Sequence, residues 1–251
     1  MLKKRIIPIL QIINDKLVKS LRYKNPSYIG DPINAVKIFN EKKVDEIVII
    51  DITRSKKKLD LNYSIIKDLA DECRMPFAYG GGISSISQVE KLFSIGVEKI
   101  ILNSSVLHKY ELINSLSKNY GSQSVVVAVD INKNFFKKNK LFDWVNKKNL
   151  KKNIDSHIKN CVNSGAGEIM INCVQNEGTQ KGFDFTIIND LNFDLSVPII
   201  VNGGINSNDE IKKILKIKTI DAVAVGAKFI YYGPHNAVLI SYIEEHERGN
   251  I

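Results

Sequence analysis

Eight short apolar runs punctuate the chain, at residues 5–11, 46–51, 77–79, 99–103, 124–130, 168–172, 199–202 and 221–225. They are rich in β-branched residues and lack strict alternation, the pattern of parallel strands covered on both faces. The stretches between them follow helical spacing. Asp31-Pro32 supplies a capping residue and a proline suited to the first helical position, opening a helix over 33–43. Ser87-Gln88-Val89-Glu90 and Ser207-Asn208-Asp209-Glu210 open two more.

The pattern occurs twice. At a constant offset of 122, residues 44–50 fall on 166–172, Pro76 on Pro198, Gly81-Gly82-Ile83 on Gly203-Gly204-Ile205, Ser85 on Ser207, and residues 100–102 on 222–224. The first strand of each half corresponds at an offset of 119, which a three-residue difference in loop length explains. Four strand–helix units per half, in halves of about 1–120 and 121–251, predict an α/β protein with one domain over 1–251. Its expected architecture is a (βα)8 TIM barrel rather than an open sheet. The segment 132–153 lies outside the repeat, with eight lysines and with Phe135, Phe136, Phe142 and Trp144 interleaved. Following the fifth strand, it belongs on the C-terminal face as a surface hairpin or lid. A nucleic-acid-binding insert is the less favoured reading.

Composition narrows the function classes. The net charge of +9 comes from lysines spread along the whole chain, which fits a solvated basic surface or attraction of an anionic substrate more than nucleic-acid binding. Three cysteines without a C-x-x-C pair and four histidines without ligand spacing predict neither disulfide framework nor metal site. No apolar run is long enough to span a bilayer, and the start of the chain reads as a strand rather than a signal peptide, so a cytoplasmic location without membrane association is expected.

Barrel enzymes place their chemistry at the C-terminal ends of the strands. Strand three ends in Gly80-Gly81-Gly82 and strand seven in Gly203-Gly204, and glycines there let backbone N–H groups approach an anion. Strands four and eight end in Asn103-Ser104 and Gly226-Ala227, at the start of short helices suited to phosphate. One cradle per half suits a ligand with a phosphate at each end.

The segments Lys4-Arg5-Ile6-Ile7-Pro8, Gly30-Asp31-Pro32, Asp51-Ile52-Thr53, Gly80-Gly81-Gly82-Ile83, residues 121–130 and Gly165-Ala166-Gly167-Glu168-Ile169 resemble the HisF family, the cyclase subunit of imidazole glycerol phosphate synthase. The resemblance implies a bisphosphorylated aminoimidazole ribonucleotide as substrate and no cofactor. It also implies a HisH-like glutaminase partner, forming a heterodimer, whose ammonia enters through the N-terminal face. The family uses two aspartates, at the ends of strands one and five, as acid and base. Here strand five supplies Asp130 and strand one supplies Gln11, an amide that exchanges no proton near neutral pH. Lys19 matches a loop lysine that reaches substrate, and Glu177-Gly178 stands where the family has an aspartate-rich segment. Arg5, Glu46, Lys99 and Glu168 match a ring of charges that gates ammonia.

Two functions follow from the resemblance: a cyclase impaired at Gln11, or a paralogue that channels ammonia to an amidotransferase making acetamidino sugars for surface polysaccharide. The segments Tyr28-Ile29-Gly30-Asp31-Pro32-Ile33-Asn34-Ala35 and Ala237-Val238-Leu239-Ile240-Ser241-Tyr242 resemble that second branch.

Overall fold

The computed structural model describes residues 3–191 and 195–248. Eight parallel strands form its centre: β1 (Arg5–Ile13), β2 (Ile47–Asp51), β3 (Phe77–Gly80), β4 (Lys99–Leu102), β5 (Val125–Lys133), β6 (Glu168–Cys173), β7 (Ile199–Asn202) and β8 (Ala222–Val225). Each pairs with its neighbour in chain order, β8 pairs back onto β1, and the barrel closes. The expected (βα)8 architecture is therefore present, with the two halves meeting at the β4–β5 and β8–β1 seams.

Closure creates two apolar regions. Ile6, Leu10, Ile47, Ile49, Phe77, Val125 and Val127 face outward and pack beneath the helices. Ile7, Ile9, Val48, Ala78, Ile101, Val126, Ala128, Met170, Ile200, Ala222 and Ala224 form a separate cluster, the lumen. Successive side chains of a strand point to opposite faces, so alternate residues of the same strand belong to different cores.

Local signals set the helix starts. Asp31 accepts from the Asn34 N–H at 2.8 Å and caps the helix Pro32–Glu41. Ser85 forms a capping box with Gln88, so the helix Ile86–Ser94 begins earlier than the start expected at Ser87-Gln88. Ser207, its counterpart in the second half, caps Asn208–Leu215 through the Glu210 N–H. The two caps have nearly identical backbone angles, φ −142° and −145° with ψ 158° in both. The duplication thus extends to single hydrogen bonds.

Two hairpins rise from the C-terminal face at equivalent places in the halves. After β1 the chain forms antiparallel strands Lys16–Leu21 and Lys24–Gly30. After β5, the lysine-rich insert forms Asn139–Asp143 and Lys148–Asn149, with Asn139–Leu141 paired to the end of β5. Phe135 and Phe136 are exposed at the insert's tip, while Leu141 is fully buried.

On the helix Ile154–Asn163 lies His157, wholly buried, its Nδ1 3.0 Å from the hydroxyl of Tyr110, the residue before the helix Glu111–Tyr120. Burial lowers its pKa from 6.5 to about 4, with Lys152 and His108 adding repulsion. Below pH 6.5 the unfolded chain therefore binds a proton that the folded chain refuses until about pH 4. Stability is full above that window and falls as pH drops through it, by about 2–3 kcal/mol at pH 4.5. His157→Asn keeps a polar group near Nδ1 but cannot titrate, so its urea midpoint is expected to fall less between pH 7 and pH 4.5 than that of the unaltered chain.

Candidate functional site

The inward positions of the strands stack into layers. Along β1 they read Arg5, Ile7, Ile9, Gln11; along β4 and the residue after it, Lys99, Ile101, Asn103; along β6, Glu168, Met170, Asn172. Each runs from charge through apolar lumen to a polar amide. The site is the polar end.

At its centre is Asp130, on β5 and 4% exposed. Its Oδ1 accepts from Asn172 Nδ2 at 2.7 Å and its Oδ2 from the Trp144 indole N–H at 2.6 Å. Asn103 also favours its charged form. Burial pushes the Asp130 carboxyl above the usual carboxylate range, against the opposing effect of these donors and of Lys56. A carboxyl so raised, yet still supplied with donors for its charged form, is suited to proton transfer. Behind it, Asn202 donates to Asn172 Oδ1 at 3.1 Å and completes an amide relay across the seventh strand.

A cavity of about 100 Å³ adjoins Asp130. Gly81, Gly82, Asn103 and Ser104, the expected phosphate cradle of the first half, line it. Gly81 (φ 112°) and Gly203 (φ 115°) occupy matching left-handed turns, and a Cβ on either would lie 2.2 Å from the Asp51 carbonyl oxygen or 2.5 Å from that of Cys173. Glycine is therefore required at both for chain packing alone. The Gly82 N–H is already engaged, donating to Ser55 Oγ at 3.0 Å.

The second half is arranged differently. Lys19 and Glu177, both buried, form an ion pair, and Lys19 Nζ would lie 2.6 Å from a Cβ on Gly226. Gln11 donates through Nε2 to Glu177 Oε1 at 2.9 Å and accepts through Oε1 from the Ser20 N–H and hydroxyl at 3.0 and 2.6 Å. Gly178 (φ 74°) lets the loop after β6 pass close to the Ser20 carbonyl oxygen. Gly203, Gly204 (φ 85°), Gly226 and Ala227 lie on this side and do not line the Asp130 cavity.

At the opposite end, Arg5, Glu46, Lys99 and Glu168 form a closed ring. Arg5 bonds Glu46 at 2.6 Å and Glu168 at 3.0 and 3.2 Å, while Lys99 bonds the same two carboxylates at 2.8 and 2.9 Å. Burial alone would lower the Arg5 pKa, but Glu168 and Glu46 hold it above its ordinary value. Glu46 Oε1 is buried without a partner.

Comparison with known proteins identifies the family. The family model described as "Histidine biosynthesis protein" fits residues 5–236. The chain belongs to the HisF family. It is 42% identical to a protein of Leptospira borgpetersenii provisionally named imidazole glycerol phosphate synthase subunit HisF, over 96% of each chain. It is 39% identical to the one provisionally named subunit hisF2 in Pseudomonas aeruginosa, again over 96% of each. Against the imidazole glycerol phosphate synthase subunit HisF of Streptococcus sanguinis the identity is 32%, over 93% of this chain and 92% of that one.

Sequence reasoning for this HisF-family chain missed three side chains at the site. Tyr23 and Trp144 meet edge to face at 5.2 Å, and Lys56 lies 4.2 Å above the indole. Trp144 stands in a polar, lysine-rich insert where a surface role was the natural expectation. Its being the chain's only tryptophan was the available signal.

Removing one partner of the buried Lys19–Glu177 pair leaves an uncompensated charge. Lys19→Met is expected to cost about 3–5 kcal/mol, and adding Glu177→Gln is expected to recover most of that. Urea unfolding of both single variants and the double variant measures the coupling.

Proposed function

We propose that the chain is the synthase subunit of a HisF-type glutamine amidotransferase, receiving ammonia at the charged end of the barrel and delivering it to a phosphorylated acceptor at the polar end. The observation that carries this reading is the layering of one lumen: a four-charge ring at its floor, an apolar middle, and a buried carboxyl with raised pKa at its mouth. A neutral molecule such as ammonia crosses an apolar layer that an ammonium ion cannot enter cheaply. The ring is then the gate. Its four charges satisfy one another until a docked HisH-like glutaminase shifts them.

At the mouth, the substrate is a bisphosphorylated aminoimidazole ribonucleotide. One phosphate sits against Gly81, Gly82, Asn103 and Ser104. The other sits at Gly203, Gly204, Gly226 and Ala227, where Lys19 supplies charge and Glu177-Gly178 shapes the loop. Asp130 transfers the protons of the ring-closing and cleavage steps that give imidazole glycerol phosphate and an aminoimidazole nucleotide. Gln11 holds Ser20 and Glu177 in place and exchanges no proton.

A second reading is favoured by Gln11 itself and by the relatives. The gate is kept while one carboxylate is replaced, and identity to the provisionally named HisF and hisF2 proteins is higher than to the Streptococcus sanguinis subunit. In this reading the barrel passes ammonia to a further enzyme acting on a sugar acetamido group, and the phosphate cradles hold a regulatory ligand.

Turnover of the ribulosyl aminoimidazole bisphosphate by the purified chain with ammonium salt separates the two. Under the first reading product forms, and Asp130→Asn is expected to lower its rate about 10²–10⁴-fold with substrate affinity nearly unchanged. Binding without turnover supports the second. Gln11→Asp places a new carboxylate against Glu177, so it is expected to raise the rate only when combined with Glu177→Gln, as steady-state kinetics of both variants would register.

A further inference from the structure

The insert after β5 ends in a turn that breaks its own local rules. The Asn134 carbonyl accepts from the Lys137 N–H at 2.9 Å, and the Lys138 carbonyl from the Asn134 N–H at 3.0 Å. Phe135 and Phe136 are therefore the central residues of a tight turn, positions that ordinarily go to glycine, proline, asparagine, aspartate or serine. Lys137 (φ 58°) follows in the left-handed region, where glycine or asparagine is usual. One exposed phenylalanine would need no explanation. Here two stand side by side, 95% and 75% exposed, their rings meeting edge to face at 5.6 Å.

The base of the same hairpin is fastened to the barrel. Leu141 is fully buried, Lys133 pairs with Asp184, and Asn139 donates to Asp190 of the helix Thr186–Asp190 at 2.8 Å. An anchored stem thus holds the tip out, and folding gains little from its two rings.

The charge around them has one sign. Residues 132–153 hold eight lysines against one carboxylate, Asp143, which is buried and accepts from the Val145 and Asn146 N–H groups. Lys137 and Lys138 are exposed beside the two rings. Among the described residues, neither they nor Lys140 lie in a salt bridge.

We propose that this tip docks the protein on an anionic phospholipid bilayer, with Phe135 and Phe136 entering the boundary between headgroups and acyl chains and Lys137 and Lys138 meeting lipid phosphates. An apolar tip with a cationic rim combines the two attractions that hold proteins to charged membrane surfaces. Protein–protein interfaces, by contrast, are depleted in lysine. The crossed rings, 87° apart, leave no parallel pair between which a nucleic-acid base could stack. The expected lack of membrane association rested on the want of a bilayer-spanning run, and a tip that rests on the surface needs none. Residues 135–140 do not line the Asp130 cavity, so the docking tip is separate from the proposed reaction.

Sedimentation of the full chain with lipid vesicles tests this. Vesicles of equal parts phosphatidylglycerol and phosphatidylcholine are expected to carry the protein down, less so as salt rises. Phosphatidylcholine alone is expected to bind it at least about tenfold more weakly. Phe135→Ser/Phe136→Ser and Lys137→Glu/Lys138→Glu are each expected to weaken binding to the mixed vesicles at least about tenfold. Their thermal midpoints should stay unchanged, because all four side chains are exposed. Lys216→Glu/Lys218→Glu makes the same change in net charge at exposed positions before β8, at the other end of the barrel, and is expected to keep the affinity. No sedimentation with millimolar anionic lipid, or an equal loss in the Lys216/Lys218 variant, would overturn the proposal. So would tip-dependent retention on single-stranded oligonucleotides without vesicle binding. Turnover plays no part in these readings, so they stand or fall apart from the proposed activity.

Discussion

A parallel sheet closed on itself puts every second side chain of each strand into one narrow lumen, and everything else in this molecule depends on that constraint. Arg5, Ile7, Ile9 and Gln11 are neighbours in the lumen because they are two residues apart on β1. A slip of one residue would send the charges beneath the helices and bring Leu10 and Ile12 inside. The register of β1 with β8 and β2 excludes that slip. Floor, middle and ceiling of the barrel are thus fixed by pairing alone, and the apolar middle separates the two polar layers.

The floor is a case of buried charges made tolerable by mutual pairing. Two cations each contact the same two carboxylates. Burying any one of the four alone would be costly, but the set closes as a ring. Such a ring has few intermediate states: moving one member frees the others. Under the proposed function, that property suits a gate better than a static plug, since a partner need supply only enough interaction to displace one side chain.

The ceiling has lost the symmetry that the duplication built. In the first half the glycine cradle opens on the Asp130 cavity. In the second, Lys19 and Glu177 stand beside Gly226. Gln11 belongs to the second arrangement. Its amide donates one hydrogen bond to Glu177 and accepts two from Ser20, whereas an aspartate could only accept and would face Glu177 with a like charge. The residue at position 11 and the carboxylate at 177 are one electrostatic solution. The cost is a proton-exchanging group at the end of β1. Opposite, the insert after β5 contributes Trp144 to Asp130, so each half sends one hairpin over the mouth.

Much of this was legible in the chain read alone. The eight apolar runs, the offset of 122 and the Ser85–Ser207 correspondence determined the barrel, because strand burial and helix capping are local signals that recur in both halves of the repeat. Asp130, Gln11 and the four floor residues could be assigned to ends of the lumen because strand ends are readable and the period of two is strict. What the sequence could not decide is which side chains meet across loops. Trp144 and Asp130 are fourteen residues apart, Gln11 and Glu177 lie 166 apart, and no periodicity links either pair. Only tertiary closure, which folds two hairpins of different length over one mouth, placed an indole on the carboxyl and an ion pair beside the second cradle.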